Sequence, residues 1–151
     1  MAIDVTTEIV IERRPEDVAA YAADPTNAPE WYEKIKSIDW ETEPPVRLGS
    51  RMAFVASFPG RRLAYTYEVV DLLPSRRLVM RTEAGPFPME TTYTWEAVGS
   101  GATRMTLRNR GQPKGFSVIA APLMAVAVRR ETSKNLRQLK QILERDRSSR
   151  G

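Results

Sequence analysis

Apolar and polar residues alternate along most of the chain, which is the pattern of β-strands with one buried face. Turn-forming pairs such as Gly49-Ser50 and Pro74-Ser75 separate the alternating segments at short intervals, as they do in an antiparallel meander. A phase slip near Ser37 indicates a β-bulge. The predicted strands are residues 4–13, 34–43, 51–59, 62–73, 76–83, 87–98 and 102–110.

Two short helices are predicted between the first and second strands. Pro15 stands at a favourable first helical position, and Glu16 and Asp17 suit the positive end of the helix dipole. Asp24-Pro25 ends this helix, and Asp24 can cap a second one. The pair therefore fills the connection between two strands.

A long helix is predicted at the C-terminus, from Ser117 to about Arg147. Its apolar residues recur at steps of three and four. The first half is apolar nearly all round and the second half is amphipathic, so we expect other elements to wrap the first half. We expect one domain over residues 1–147 and a frayed tail over residues 148–151.

Together these elements predict an α+β fold. A curved antiparallel sheet of six to seven strands packs on the long C-terminal helix, with the two short helices after the first strand. A strongly curved sheet cannot close tightly on a straight helix along its whole length. The space between them is either filled by side chains or left as a pocket.

The composition removes several kinds of chemistry. The 151 residues include neither cysteine nor histidine, which excludes a cysteine nucleophile, a disulfide, a Cys/His zinc site and a Ser–His–Asp triad. We also find no spaced acidic motif for a metal held by carboxylates alone. No cofactor or metal is predicted.

The basic residues concentrate near the C-terminus, where residues 129–151 hold eight Lys/Arg and three acidic residues. We interpret them as a solvated helix face with cations near a helix C-terminus. Nucleic acid is not an expected partner, because this face lacks interleaved aromatic residues for base stacking. An anionic membrane or a partner protein remains an alternative partner of this helix.

The N-terminus has no signal-peptide pattern. The longest apolar stretch, residues 116–128, is shorter than the roughly 20 residues that span a bilayer. We therefore predict a cytoplasmic protein without stable membrane insertion. It is expected to be a monomer or a homodimer.

The order of these elements and certain short motifs resemble the helix-grip superfamily, also called SRPBCC or START-like. This superfamily includes START lipid-transfer domains and bacterial polyketide cyclases, and the chain is most similar to its uncharacterised polyketide cyclase-like members. The resemblance covers essentially the whole chain. It rests on Pro15–Val18, Tyr21–Pro25, Trp31, Gly49-Ser50, Tyr65–Val69, Pro74, Arg77–Val79, Thr103–Thr106 and Leu136–Lys140.

That resemblance implies a hydrophobic cavity between the sheet and the terminal helix. The residues point the same way, because the inward positions combine adaptable methionines with tyrosines that carry a polar tip. The alternative is that these side chains simply fill the core. The predicted ligand-binding residues are Trp31, Phe54, Tyr65, Tyr67, Met80, Phe87, Met89, Tyr93, Met105, Leu107, Asn109, Phe116, Ile119, Leu123 and Met124, with Phe58 at the rim.

Besides an interaction module that uses the basic helix, two small-molecule functions compete. The first is binding of an apolar small molecule such as a lipid or polyketide, with no catalysis. The second is an enzyme of the polyketide cyclase/dehydratase kind, whose chemistry needs a buried acid or base and an oxyanion partner. Its candidates are Tyr65, Tyr67 and Tyr93 as acids and Asn109 or Arg110 for polarising a carbonyl, with Glu90 and Asp24 as weaker candidates.

Overall fold

The computed structural model describes residues 3–58, 61–84, 88–111 and 121–150. Within these ranges the predicted alternation produces β1 (Ile3–Ile11), β2 (Ile35–Trp40), β3 (Arg51–Phe58), β4 (Arg61–Leu73), β5 (Arg77–Ala84), β6 (Met89–Val98) and β7 (Ala102–Gly111). The helices are α1 (Pro15–Ala22), α2 (Ala28–Trp31) and α3 (Ala121–Arg150), with a 3-10 turn at Pro25–Asn27.

All seven strands form one antiparallel sheet in the order β1-β7-β6-β5-β4-β3-β2. The strands from β2 to β7 form a meander, and β1 pairs with the last strand. The register of β2 against β3 shifts between Ile35 and Ser37, which confirms the predicted bulge. The α+β helix-grip fold is thereby confirmed.

The outer face of the sheet carries cross-strand ion pairs. Arg81 pairs with Glu90 at 2.7 Å between β5 and β6. Arg108 pairs with Asp4 at 2.6 Å between β7 and β1. Because these side chains are partly solvated, the pairs fix the register more than they stabilise the fold.

The short helices begin and end where their sequence signals stand. Pro15 is the first residue of α1, and the acidic residues Glu16 and Asp17 occupy its first turn. The Asp24 carboxylate accepts a hydrogen bond from the Thr26 amide at 3.0 Å, so Asp24 caps the 3-10 turn as predicted.

Helix α3 packs most extensively on β1 and also contacts α2. Its buried positions Leu136, Leu139 and Leu143 belong to the main hydrophobic core. The ammonium group of Lys140 donates to the Val10 carbonyl at 2.7 Å and ties the helix to β1. The second half of α3 is therefore the half that holds the helix to the sheet.

The expectation that other elements wrap the first half of this helix is wrong for its described residues. Leu123 is 73% exposed and Val126 is 60% exposed. The contacts with β1 and α2 lie further along the helix, so the outer positions of the first turns face solvent. The helix also continues to Arg150, three residues beyond its predicted end. The predicted positions 117–120 lie outside the described residues.

Candidate ligand-binding site

The inner face of the sheet carries a continuous apolar core. It includes Trp31 from α2, Phe54 from β3, Met80 from β5, and Met105 and Leu107 from β7. Alternation along each strand places these side chains on one side, where the helices cover them. Met105 and Leu107 are fully buried. This wall is apolar, and its polar groups come mainly from tyrosine.

Two phenols meet at the junction of α2 with the sheet. Tyr32 directly follows α2, and its hydroxyl hydrogen-bonds to the hydroxyl of Tyr93 on β6. The ring of Trp31 lies 4.2 Å from that of Tyr32 and 5.8 Å from that of Tyr93, measured between centroids. The three aromatic rings thus form one cluster that joins α2 to the inner face of the sheet.

A second chain of hydrogen bonds begins at Tyr67. Its phenol bonds to Thr91, and the Thr91 hydroxyl donates to Oδ1 of Asn109 at 2.9 Å. Thr91 therefore links the phenol of Tyr67 to the side-chain amide of Asn109. The Tyr67 ring packs edge-on against Phe54, with centroids 5.6 Å apart. Polar tips are therefore held in defined positions inside an apolar wall.

Burial keeps these phenols neutral. It is the largest cause that raises the pKa values of Tyr32, Tyr67 and Tyr93 well above the ordinary value of 10. The pKa of Tyr65 is also raised by burial. At neutral pH each group is an uncharged hydroxyl that can donate and accept a hydrogen bond.

Two further polar atoms near this region are buried without a hydrogen-bond partner in the described part of the chain. They are Nε1 of Trp31, a donor, and Oε1 of Glu131 on α3, an acceptor. The other carboxylate oxygen of Glu131 lies 3.8 Å from the ammonium group of Lys34, just after Tyr32 in the chain. Buried unpaired groups are costly, so these two atoms are unusual features of the region.

The structure brings together many of the residues predicted to bind a ligand. Trp31, Phe54, Met80, Tyr93, Met105 and Leu107 are members of one buried core, and Tyr67 packs against it. Tyr65 is also buried, on β4, while Met89, Asn109 and Met124 are partly buried. Leu123 does not join them, because it is exposed on α3. Phe87, Phe116, Ile119 and the side chain of Phe58 lie outside the described residues.

Sequence reasoning missed three residues of this region. Thr91 stands between Met89 and Tyr93 in the inward alternation of β6, so the alternation itself carried the signal. Glu131 follows Arg129 and Arg130 in a charged stretch of α3, so no signal in the sequence indicated that its side chain is half-buried. Tyr32 gave no comparable signal, because the path of the chain after a four-residue helix decides where its side chain lies.

The remaining catalytic candidates stand outside this site. Arg110 is half-exposed and lies 3.8 Å from Glu90, so it cannot polarise a carbonyl in the interior. The Glu90 carboxylate also pairs with Arg81 on the outer face. Asp24 serves as a cap.

Within the ranges that the structure describes, no group of three or more acidic side chains could hold a metal ion. No helix in those ranges is both long and apolar enough to cross a bilayer.

Comparisons with known proteins agree with this architecture. The chain superposes on a START superfamily protein from Mycobacterium smegmatis with a TM-score of 0.81 and 13% identity, covering 94% of this chain and 97% of that one. It superposes on the protein TTHA0849 from Thermus thermophilus with a TM-score of 0.80 and 19% identity, covering 95% of this chain and 98% of that one.

A third similar structure is the Zhui aromatase/cyclase from Streptomyces sp. R1128, with a TM-score of 0.79 and 16% identity, covering 96% of this chain and 95% of that one. At such identities these similarities establish the fold alone. A sequence comparison with curated proteins found no match. The profile of the family described as polyketide cyclase / dehydrase and lipid transport matches residues 2–144, so the chain belongs to that family.

Proposed function

We propose that this protein binds an apolar small molecule, such as a lipid or polyketide, between the inner face of the sheet and α3. The observation that carries the proposal is the set of neutral phenols within an apolar wall, formed by the Tyr32–Tyr93 pair and the Tyr67–Thr91–Asn109 chain. Such a mixture suits a ligand that is mostly apolar and is oriented by a few polar contacts.

The chemistry of the phenols favours binding over catalysis. A general acid or base works best with a pKa near the working pH, whereas the pKa values of Tyr67 and Tyr93 are raised far above it. A neutral phenol still donates a hydrogen bond to a carbonyl oxygen. The tyrosines are therefore orienting groups, and Nε1 of Trp31 supplies a further donor.

A cyclase or dehydratase activity is the second candidate, and Glu131 is the observation that favours it. Its buried, unpartnered Oε1 is a carboxylate oxygen that could accept a proton from a bound substrate. The family description covers both cyclases and lipid transport. The test is turnover of a polyketide substrate by wild type and by Glu131→Gln. Loss of turnover in the variant, with binding of the substrate retained, would favour this candidate.

The binding proposal is tested with the neutral fluorescent probe N-phenyl-1-naphthylamine. Met124→Trp adds bulk at a partly buried position of α3, and Leu123→Trp adds the same ring system at its exposed neighbour. We expect wild type and Leu123→Trp to bind the probe equally and Met124→Trp to bind it at least several-fold more weakly. Absence of saturable binding, or equal loss in both variants, would contradict an internal site.

A further inference from the structure

A cavity lies on the side of α1. It is an open groove of about 600 Å³ between α1, the segment that connects β2 to β3, and the turn between β4 and β5. This volume is in the range of small-molecule sites. Its apolar lining includes Ala19, Trp40, Val46, Leu72 and Trp95. The tyrosine cluster that carries the proposed function does not line it.

Trp95 gives this groove an unsatisfied hydrogen-bond donor. The residue is only 4% exposed, and within the described chain its Nε1 has no hydrogen-bond partner. The indole of Trp40, by contrast, donates to Oγ1 of Thr26 at 3.2 Å and is held in place. A buried N–H without an acceptor is uncommon in a folded protein. The atom has almost no accessible surface, so a ligand acceptor in the groove reaches it only when the indole turns towards the groove.

The charged side chains in the groove lining are both acidic. Glu16 makes no ion pair with any described residue, and Asp24 uses only Oδ1 for its cap. Lys and Arg are absent from the described lining. Arg47 stands outside it, 3.5 Å from the carbonyls of Pro44 and Pro45. The charge therefore favours a cation, which can also lie against the ring of Trp40.

We propose that this groove binds a small organic cation that combines an aromatic body, a carbonyl acceptor and an ammonium group. The aromatic body packs among Trp40, Val46 and Leu72. The carbonyl accepts from Nε1 of Trp95, and the ammonium lies near Glu16 and Asp24. Trp95 packs edge-on against Tyr93, with ring centroids 6.1 Å apart, but no tyrosine is among the described residues that line the groove. The Trp31 signal therefore distinguishes binding in the groove from binding at the phenol cluster.

The experiment follows the indole Nε1–H signals of the 15N-labelled full chain by NMR. The sequence has three tryptophans, so these signals can be assigned with single Trp→Phe variants. The probe is N-(2-aminoethyl)benzamide. Its matched controls are N-(2-hydroxyethyl)benzamide, which is neutral, and 3-benzamidopropanoate, which is an anion. All three compounds share the phenyl ring and the amide carbonyl. They differ only in the terminal group, which is an ammonium, a hydroxyl or a carboxylate.

We expect the cationic probe to shift the Trp95 and Trp40 signals saturably and to leave Trp31 in place. The neutral probe should bind several-fold more weakly and the anion weakest. Glu16→Gln should reduce affinity for the cation several-fold, whereas Glu8→Gln, an exposed carboxylate of β1, should not. An unmoved Trp95 signal, a shift confined to Trp31, equal binding of the three probes, or equal effects of the two variants would each overturn the proposal.

Discussion

The hydroxyl groups of Tyr32 and Tyr93 hydrogen-bond to each other where the chain leaves α2 and meets the inner face of β6. Each hydroxyl is the other's partner in a region otherwise built from apolar side chains. The ring of Trp31 lies against both. The pair is therefore both a structural tie and the polar centre of the proposed ligand site.

Removal of one phenol of this pair should destabilise the fold. Tyr32→Phe leaves the buried hydroxyl of Tyr93 without its partner, and an unsatisfied buried group costs about 1–3 kcal/mol. The double variant with Tyr93→Phe should lose less than the sum of the two single losses, since neither orphan hydroxyl remains. Urea unfolding of the four proteins measures this coupling. Strict additivity would contradict the pairing.

The buried phenols should make the free energy of unfolding decrease at alkaline pH. Burial raises the folded-state pKa values of Tyr32, Tyr67 and Tyr93 above the ordinary value of 10. The unfolded chain therefore releases protons that the folded chain retains. This contribution to stability is fully present below about pH 10 and is lost as the pH rises further.

Unfolding free energies measured from about pH 8 to about pH 11 check this dependence. The loss in wild type should be steeper than in Tyr93→Phe, which lacks one raised group and also removes a contribution of Tyr93 to the raised pKa of Tyr32. Identical slopes in the two proteins would show that the phenol is not protected in the folded state.

The two halves of α3 should respond differently to truncation. Leu139 is fully buried, so Leu139→Ala should cost about 2–5 kcal/mol through lost burial and the cavity left behind. Leu123 is 73% exposed. Leu123→Ala, the same chemical change in the same helix, should stay within about 0.5 kcal/mol of wild type. Thermal or urea unfolding distinguishes the two, and similar losses would mean that the orientation of α3 is wrong.

The ion pair between Asp4 and Arg108 should be visible in the titration of Asp4. Two hydrogen bonds of 2.8 and 2.6 Å from Arg108 are the main cause that lowers the pKa of the Asp4 carboxyl from its ordinary value of 3.8. The linked stability is present above that ordinary value and is lost as the pH falls through the lowered pKa. In Arg108→Gln the Asp4 pKa, followed by NMR of its side-chain carboxyl, should return towards 3.8. An unchanged value would contradict the contact.

Much of this fold was predictable because its sheet has one buried face. Alternation with a period of two predicted the strands and the side chains that each strand buries. The phase slip at Ser37 predicted the bulge that the structure contains. Pro15 predicted the start of α1, and Asp24 predicted a cap. The rotation of α3 was less predictable. Where a helix is apolar nearly all round, periodicity cannot say which side meets the sheet, and Leu123 was therefore assigned to the wall although it faces solvent.

The apolar residues of the candidate site could be predicted from the sequence, but the hydrogen bonds between its polar groups could not. Alternation brought Phe54, Met80 and Met105 to one side. The partner of Tyr93, however, comes from a residue that follows a four-residue helix, so only the tertiary path of the chain reveals it. The buried oxygen of Glu131 depends in the same way on how α3 lies beside Lys34.

The most direct test of the central claim is native mass spectrometry of the purified protein, followed by organic extraction and identification of any released compound. We expect a stoichiometric apolar molecule on the wild type and on Leu123→Trp, and its loss from Met124→Trp. A ligand-free mass, together with no thermal shift from fatty acids, sterols or aromatic polyketides, would contradict an internal apolar site.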